Sequence, residues 1–300
     1  MIHVDVLTDP RDFVELARAF LDSEPLVNNV VASMAERRVA EVEADTPGAV
    51  GDRWFVVRDD DAIVGAAMMT DGFPPYLLAM SDDAGAAVAD AVAERVGPQD
   101  RVLGVNGEIS AATAFARAWA LRHGLAYRTE RRNRLFRLAD LGIPVSVSGR
   151  LRVATTDDVD LIHGWTADFH TEAAGDERVP TRAASAAKID RGLAWLWIDE
   201  VEGIEQPVSY TGAAVPVRGV HRLGPVYTPP AFRGRGYASA CVARVSHLKR
   251  ASGATEVCLF TDQANPTSNR IYQAIGFVPV ADTVNLGFVP GPRLGSDAVI

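Results

Sequence analysis

Residues 231–242, AFRGRGYASACV, set two arginines and two glycines in four consecutive positions and then run into an apolar, helix-like stretch. Upstream lies a strand-like segment, Leu223 to Thr228 (LGPVYT), followed by Pro229-Pro230. Downstream, Val242, Val245 and Leu248 fall at i, i+3 and i+6, while Arg244, Lys249 and Arg250 face elsewhere. That spacing predicts an amphipathic helix from about Tyr237 to Ala251, docked on a sheet. The first turn of a helix leaves backbone N–H groups without partners, and the macrodipole adds roughly half a positive charge there. Glycines at 234 and 236 let an anion approach those groups without meeting a Cβ, and the neighbouring arginines add charge. The loop is suited to a phosphate-bearing ligand.

Three kinds of phosphate loop compete. A Walker A loop requires Lys-Ser/Thr after its last glycine, and Tyr237-Ala238 stands there instead. A Rossmann fingerprint requires a third glycine early in a βαβ unit, whereas this segment is late in the chain and has Ser239 or Ala240 at that place. The third is R/Q-x-x-G-x-G/A, matched by Arg233, Gly236 and Ala238 with an extra Gly234. A second segment, Asn265-Pro266-Thr267-Ser268-Asn269-Arg270-Ile271-Tyr272-Gln273-Ala274-Ile275-Gly276-Phe277, places an Asn at a helix start, a Tyr seven residues later and Gly-Phe at the helix end. In this order and separation, the two motifs resemble those of the GNAT superfamily of N-acetyltransferases, well over residues 150 to 290 and in outline before that.

The resemblance implies acetyl-CoA as cofactor and N-acetyl transfer, or transfer of another short acyl group, to a primary amine by direct attack. It implies that backbone groups of Val226, Tyr227 and Thr228 bind the pantetheine arm and polarise the acyl carbonyl. It places the diphosphate on the loop and helix start formed by Arg233, Gly234, Arg235, Gly236, Tyr237, Ala238 and Ser239. Asn265, with Ser268 and Asn269 beside it, would contact the cofactor arm, and Tyr272 would be the catalytic acid beside the sulfur. A phenol proton there stabilises charge that develops only as the thiolate leaves. For the general base, His221, Asp262, Glu200, His170 and Glu172 all stay open. A non-catalytic acyl-CoA-binding or sensing module is the alternative to an enzyme.

The rest of the 300-residue chain frames this reading. Its 48% hydrophobic content supplies ample core. The net charge of −9 excludes a basic stripe for nucleic acid. Residues 1 to 145 carry 15 basic and 23 acidic side chains, and residues 146 to 300 carry 15 and 16, so an anionic ligand fits the second half better. Cys241 and Cys258 have neither disulfide-framework nor metal-ligand spacing. With no signal peptide and no membrane-length apolar run, a cytoplasmic protein without membrane or nucleic-acid partners is expected, as monomer or homodimer, acting on a small-molecule or peptide amine. Both halves run strand, helix, strand pair, Pro-Pro, helix, strand, helix, strand. The expected architecture is α+β: two tandem GNAT-like domains, each a mixed, mostly antiparallel sheet flanked by helices, at 1–141 and 150–300, with 142–149 as linker. The first copy is expected to be degenerate, because Asp82 and Asp83 replace the arginines and Ala120 stands where Tyr272 does.

Overall fold

Each half begins with a strand and a helix started by a short acid, as TDPRDF and TTDDVD predict. The computed structural model describes residues 1–45, 51–95, 102–174 and 179–291. The first series is β1 (Ile2–Leu7), α1 (Pro10–Ser23), α2 (Asn29–Glu43), β2 (Arg53–Asp59), β3 (Ala62–Met69), β4 (Tyr76–Leu77), α3 (Asp82–Arg95), β5 (Gly104–Glu108), α4 (Ile109–His123) and β6 (Leu125–Leu138). The second repeats that order as β7 (Arg150–Val153), α5 (Val159–Phe169), α6 (Arg182–Asp190), β8 (Ala194–Val201), β9 (Ile204–Ala213), β10 (Val220–Tyr227), α7 (Tyr237–Ala251), β11 (Glu256–Asp262), α8 (Pro266–Ala274) and β12 (Phe277–Pro290). Asp9 accepts from Arg11 N at 2.8 Å to start α1. Thr155 and Asp158 form a reciprocal capping box ahead of α5, and Arg152 grips both carboxylate oxygens of Asp158, at 2.7 and 2.8 Å. No helix among the described residues is long and apolar enough to cross a membrane.

The chain forms two compact units, Met1–Arg134 with Ala281–Ile300, and Leu135–Val280. In the first, antiparallel β1, β2, β3 and β4 lead to a parallel β4–β5 pair, and β5 pairs with Thr283–Gly287 of β12. Arg134 and Asp282, paired through two hydrogen bonds of 2.7 and 2.8 Å, fasten β6 to β12 there. Phe55, Leu77, Val88, Phe115 and Leu286 lie in its core. In the second unit the order is β6, β11, β10, β9, β8, β7, with the last residues of β6 at one end. Side chains of β8 alternate between its two faces. Trp195 packs with Val242 and Val245 of α7, while Leu196 and Ile198 pack with Ile162 of α5 and Ile189 of α6. Cys241 and Cys258 are buried free thiols, both pushed up to about 12 by burial.

The unit boundaries fall inside β6 and β12 rather than at 142–149. Turn-forming residues mark where the backbone bends, but two 14-residue strands carry the chain from one unit into the other. Segment 142–149 belongs to the second unit. There Trp197 Nε1 donates to Ser148 O at 2.8 Å, and Val147 lies against Gly236.

Gly276 ends the α8 turn at φ +99°, and a Cβ there would stand 1.8 Å from Asp140 O. Gly124, after α4, has φ +65° with nothing within 4 Å. Gly276→Ala should therefore cost about 3 kcal/mol or more in urea unfolding, from backbone strain plus the clash. Gly124→Ala should cost only about 1 kcal/mol, from the left-handed conformation alone.

Candidate functional site

β10 pairs in parallel with β11 from Val220 to Leu223 and then leaves it. Against β9 its register jumps between Leu223 and Val226, a bulge that re-aims the strand's last residues. A short 3₁₀ turn, Pro230–Phe232, follows, and then Gly234 and Gly236 at φ +79° and +82° swing the backbone into α7. Gly236 is the N-cap of α7 and supplies no capping side chain. Asp9, Glu108, Thr181 and Asn265 do cap α1, α4, α6 and α8. The first turn of α7 thus receives no capping side chain from its N-cap residue, and the positive end of the helix dipole lies behind it.

Facing this turn is the start of α8. Asn265 accepts from Ser268 N at 3.0 Å. Asn269 Nδ2 donates to Asn265 O, Asp262 O and Gln263 O at 2.9, 3.2 and 3.3 Å, which locks the β11–α8 turn. Tyr272, two turns along α8, is 8% exposed and packs edge-on against Phe277. Burial alone raises its pKa well above that of a free phenol, so the hydroxyl keeps its proton at neutral pH.

These pieces line one cavity of about 630 Å³. β10 contributes Val226 and Tyr227, with Thr228 just beyond; the loop contributes Arg233, Gly234 and Gly236. α7 contributes Tyr237, Ala238 and Ser239, and the α8 region Asn265, Ser268 and Tyr272. Of the residues singled out in the sequence, Arg235 and Asn269 lie outside the lining: Asn269 braces the turn, and the charge of Arg235 acts on Asp199 and Tyr237. Phe169, Phe232, Thr267 and Ile271 complete the wall and carry no motif by which the sequence would have marked them.

Two carboxylates organise the surroundings. Asp199, 7% exposed, accepts from Tyr237 Oη at 2.6 Å and Ser148 Oγ at 2.7 Å, which anchors the first residue of α7. Burial pushes its pKa up, but the hydrogen bonds from Tyr237 and Ser148 outweigh that and hold it below the ordinary value. Glu172, just after α5, pairs with Arg233 Nη2 at 2.5 Å and accepts from Tyr227 Oη at 2.8 Å. Arg233 also donates from Nε to Thr228 O at 2.8 Å, so its guanidinium is engaged within the protein rather than directed only at the glycine turn. The Arg233 hydrogen bond holds Glu172 below the usual carboxylate range, while burial and the Glu172 carboxylate push Tyr227 up to about 12. Of the five candidate bases, Glu172 is the one that lines the cavity.

A parting strand, a glycine turn, a helix start without a capping side chain and a buried phenol on the last helix are set in this element order around one cavity. Residues 159–277 match the acetyltransferase (GNAT) family, and this part of the chain is a GNAT acetyltransferase domain. No curated protein sequence matches the chain. Among solved structures, a Drosophila protein superposes at a TM-score of 0.67 with 12% identity, covering 96% of this chain and 98% of that one. A GCN5-related N-acetyltransferase from Sphaerobacter thermophilus superposes at 0.62 with 17% identity, covering 97% and 96%. A tandem GNAT protein from the clavulanic acid biosynthesis pathway superposes at 0.55 with 14% identity, covering 97% and 99%. The fold is thus α+β with two tandem GNAT-like domains, and acyl transfer from coenzyme A is the general chemistry that family membership supports.

The Tyr237–Asp199 bond has a pH signature. A carboxylate with a depressed folded-state pKa contributes stability above its ordinary value, about 3.9, and that contribution is lost as pH falls through the folded value. Tyr237→Phe should cost about 1.5 to 3 kcal/mol at pH 7, the range for a hydrogen bond to a charged group, and distinctly less at pH 3, as read by urea unfolding at both pH values.

Proposed function

We propose that the second unit transfers an acetyl or short acyl group from acetyl-CoA to a primary amine of a small molecule or peptide, by direct attack. The observation that carries this reading is that the uncapped start of α7 and Tyr272 line the same cavity. The fit to the cofactor is one of shape and charge. At Gly236 a Cβ would stand 2.9 Å from Val147 and the backbone φ is positive, so a side chain is disfavoured where the diphosphate must come close. When bound, coenzyme A supplies the acyl group as an activated thioester.

The N–H groups of Tyr237, Ala238 and Ser239 would hold the diphosphate, with Arg233 and Arg235 adding positive charge nearby. Val226, Tyr227 and Thr228, freed from β11 by the parting of the strands, would offer backbone groups to the pantetheine arm and an N–H to the acyl oxygen. Asn265 and Ser268 would border the arm from α8. Tyr272 would donate its proton to the departing sulfur; burial keeps the phenol protonated until the thiolate develops, and the charge forming on the sulfur is what would draw the proton across. The N-terminal unit would not bind the cofactor. Its corresponding helix α3 has the Ser81 hydroxyl accepting from Ala84 N at 3.3 Å and two aspartates in its first turn.

Acetyl-CoA at about a hundred times its dissociation constant should stabilise the chain by about 2.7 kcal/mol, visible as a rise in melting temperature, whereas NAD and ATP should give none. Ser239→Glu should abolish the rise without unfolding the chain, since a carboxylate suits a helix N-terminus but repels a diphosphate. Tyr272→Phe should keep the rise and slow thiol release about a hundredfold or more. A rise without thiol release from any amine would replace the transferase by a binding module.

A further inference from the structure

Glu172 is an acidic group on the cavity wall to which acyl transfer itself assigns no task. Its partner Arg233 is 48% exposed and Glu172 itself 41%, so their ion pair is worth about 1 kcal/mol at most, and another cation can displace it. Asp168 adds a second negative charge acting on the same Tyr227 phenol. Phe169, Phe232 and the Tyr227 ring wall the adjoining space. The Arg233 guanidinium already sits over that ring, 5.6 Å from its centre, so the ring face accepts a cation.

Resting on the acyl-transfer reading, we propose that Glu172 selects the acceptor, and that the acceptor is an amine with a second, persistently cationic nitrogen beyond a hydrocarbon spacer, such as a diamine. A carboxylate beside the attacking nitrogen would hold it protonated, and an ammonium has no lone pair with which to attack the acyl carbon. Glu172 therefore suits the nitrogen that stays charged. It is equally unsuited to removing the proton, because its own pKa is held low by Arg233, away from the near-neutral range in which a base works well. The aromatic walls fit the spacer, and the incoming ammonium takes the place of the Arg233 guanidinium. Displaced from Glu172, Arg233 keeps its bond to Thr228 O and its place beside the glycine turn.

The test is calorimetric titration of the full-length chain with hexamethylenediamine and with hexylamine at neutral pH, with and without coenzyme A. The diamine should bind about tenfold more tightly than the monoamine. Glu172→Gln should erase that preference. Arg233→Gln, which leaves Glu172 charged and removes its competitor, should tighten diamine binding severalfold, whereas a merely structural ion pair would make both substitutions weaken it. Equal affinity for the two amines, a preference that survives Glu172→Gln, or weaker diamine binding in Arg233→Gln overturns the assignment. Coenzyme A binding is read in the same titrations and separates the two claims. A Glu172-dependent diamine preference without coenzyme A binding upholds the selector and sinks the transferase; coenzyme A binding without the preference does the reverse.

Discussion

The N-terminus of α7 receives no capping side chain from Gly236, and the proposed site of the second unit depends on that omission. Unpaired N–H groups at a helix start cost stability unless water, a side chain or a ligand meets them. Here the N-cap residue offers none: Gly236 holds the cap position in a left-handed turn. The turn is held from behind, by Asp199 on the Tyr237 hydroxyl and by Val147 against Gly236, so its donors are pre-set instead of recruited. The bulge in β10 and the Asn269 clasp on the β11–α8 turn hold the other walls of the cavity in place. Supports on different elements thus hold the walls of one cavity, an arrangement that would suit the preorganised electrostatic stabilisation of the proposed reaction.

The N-terminal unit shows the same element order with that omission repaired. Ser81 caps α3, and Asp82 and Asp83 satisfy the helix dipole from within the chain. Gly85 lets α3 approach α4 so closely that a Cβ would stand 2.7 Å from Ala111 O. β4 keeps its parallel pairing with β5, at Tyr76 with Asn106 and Leu77 with Gly107, and a Cβ on Gly107 would meet Leu77 O at 2.1 Å. One topology has thus been realised once with a receptive helix start and once with a helix whose electrostatics are internally balanced.

Much of the second unit was legible because its signals are local. The bounds of α7, the N-cap Asn265 and the glycine after α8 each follow from a few adjacent residues: an amphipathic period, an amide before a proline, and a left-handed position. What the sequence did not show is non-local. Arg233 reads as a phosphate ligand from its neighbours alone, yet its hydrogen-bond partner Glu172 lies 61 residues earlier. The apolar wall residues Phe169, Phe232 and Ile271 are ordinary hydrophobic positions until the fold gathers them. Gly-Ile-Pro-Val-Ser-Val-Ser-Gly reads as a linker from its turn formers, whereas the division into compact units depends on where β6 and β12 find partners, which no local pattern records.

The exchange of terminal strands has a consequence for the order in which the molecule can be completed. The sheet of the first unit takes Thr283–Gly287 as the neighbour of β5, so a nascent chain holding all of residues 1–134 still exposes an unpaired strand edge. Domains generally fold as units, the N-terminal one first, as synthesis proceeds. Here the first domain to be made is the last to receive all of its strands. In the order of synthesis, the half that would carry the chemistry therefore has all of its strands before the half that precedes it is complete.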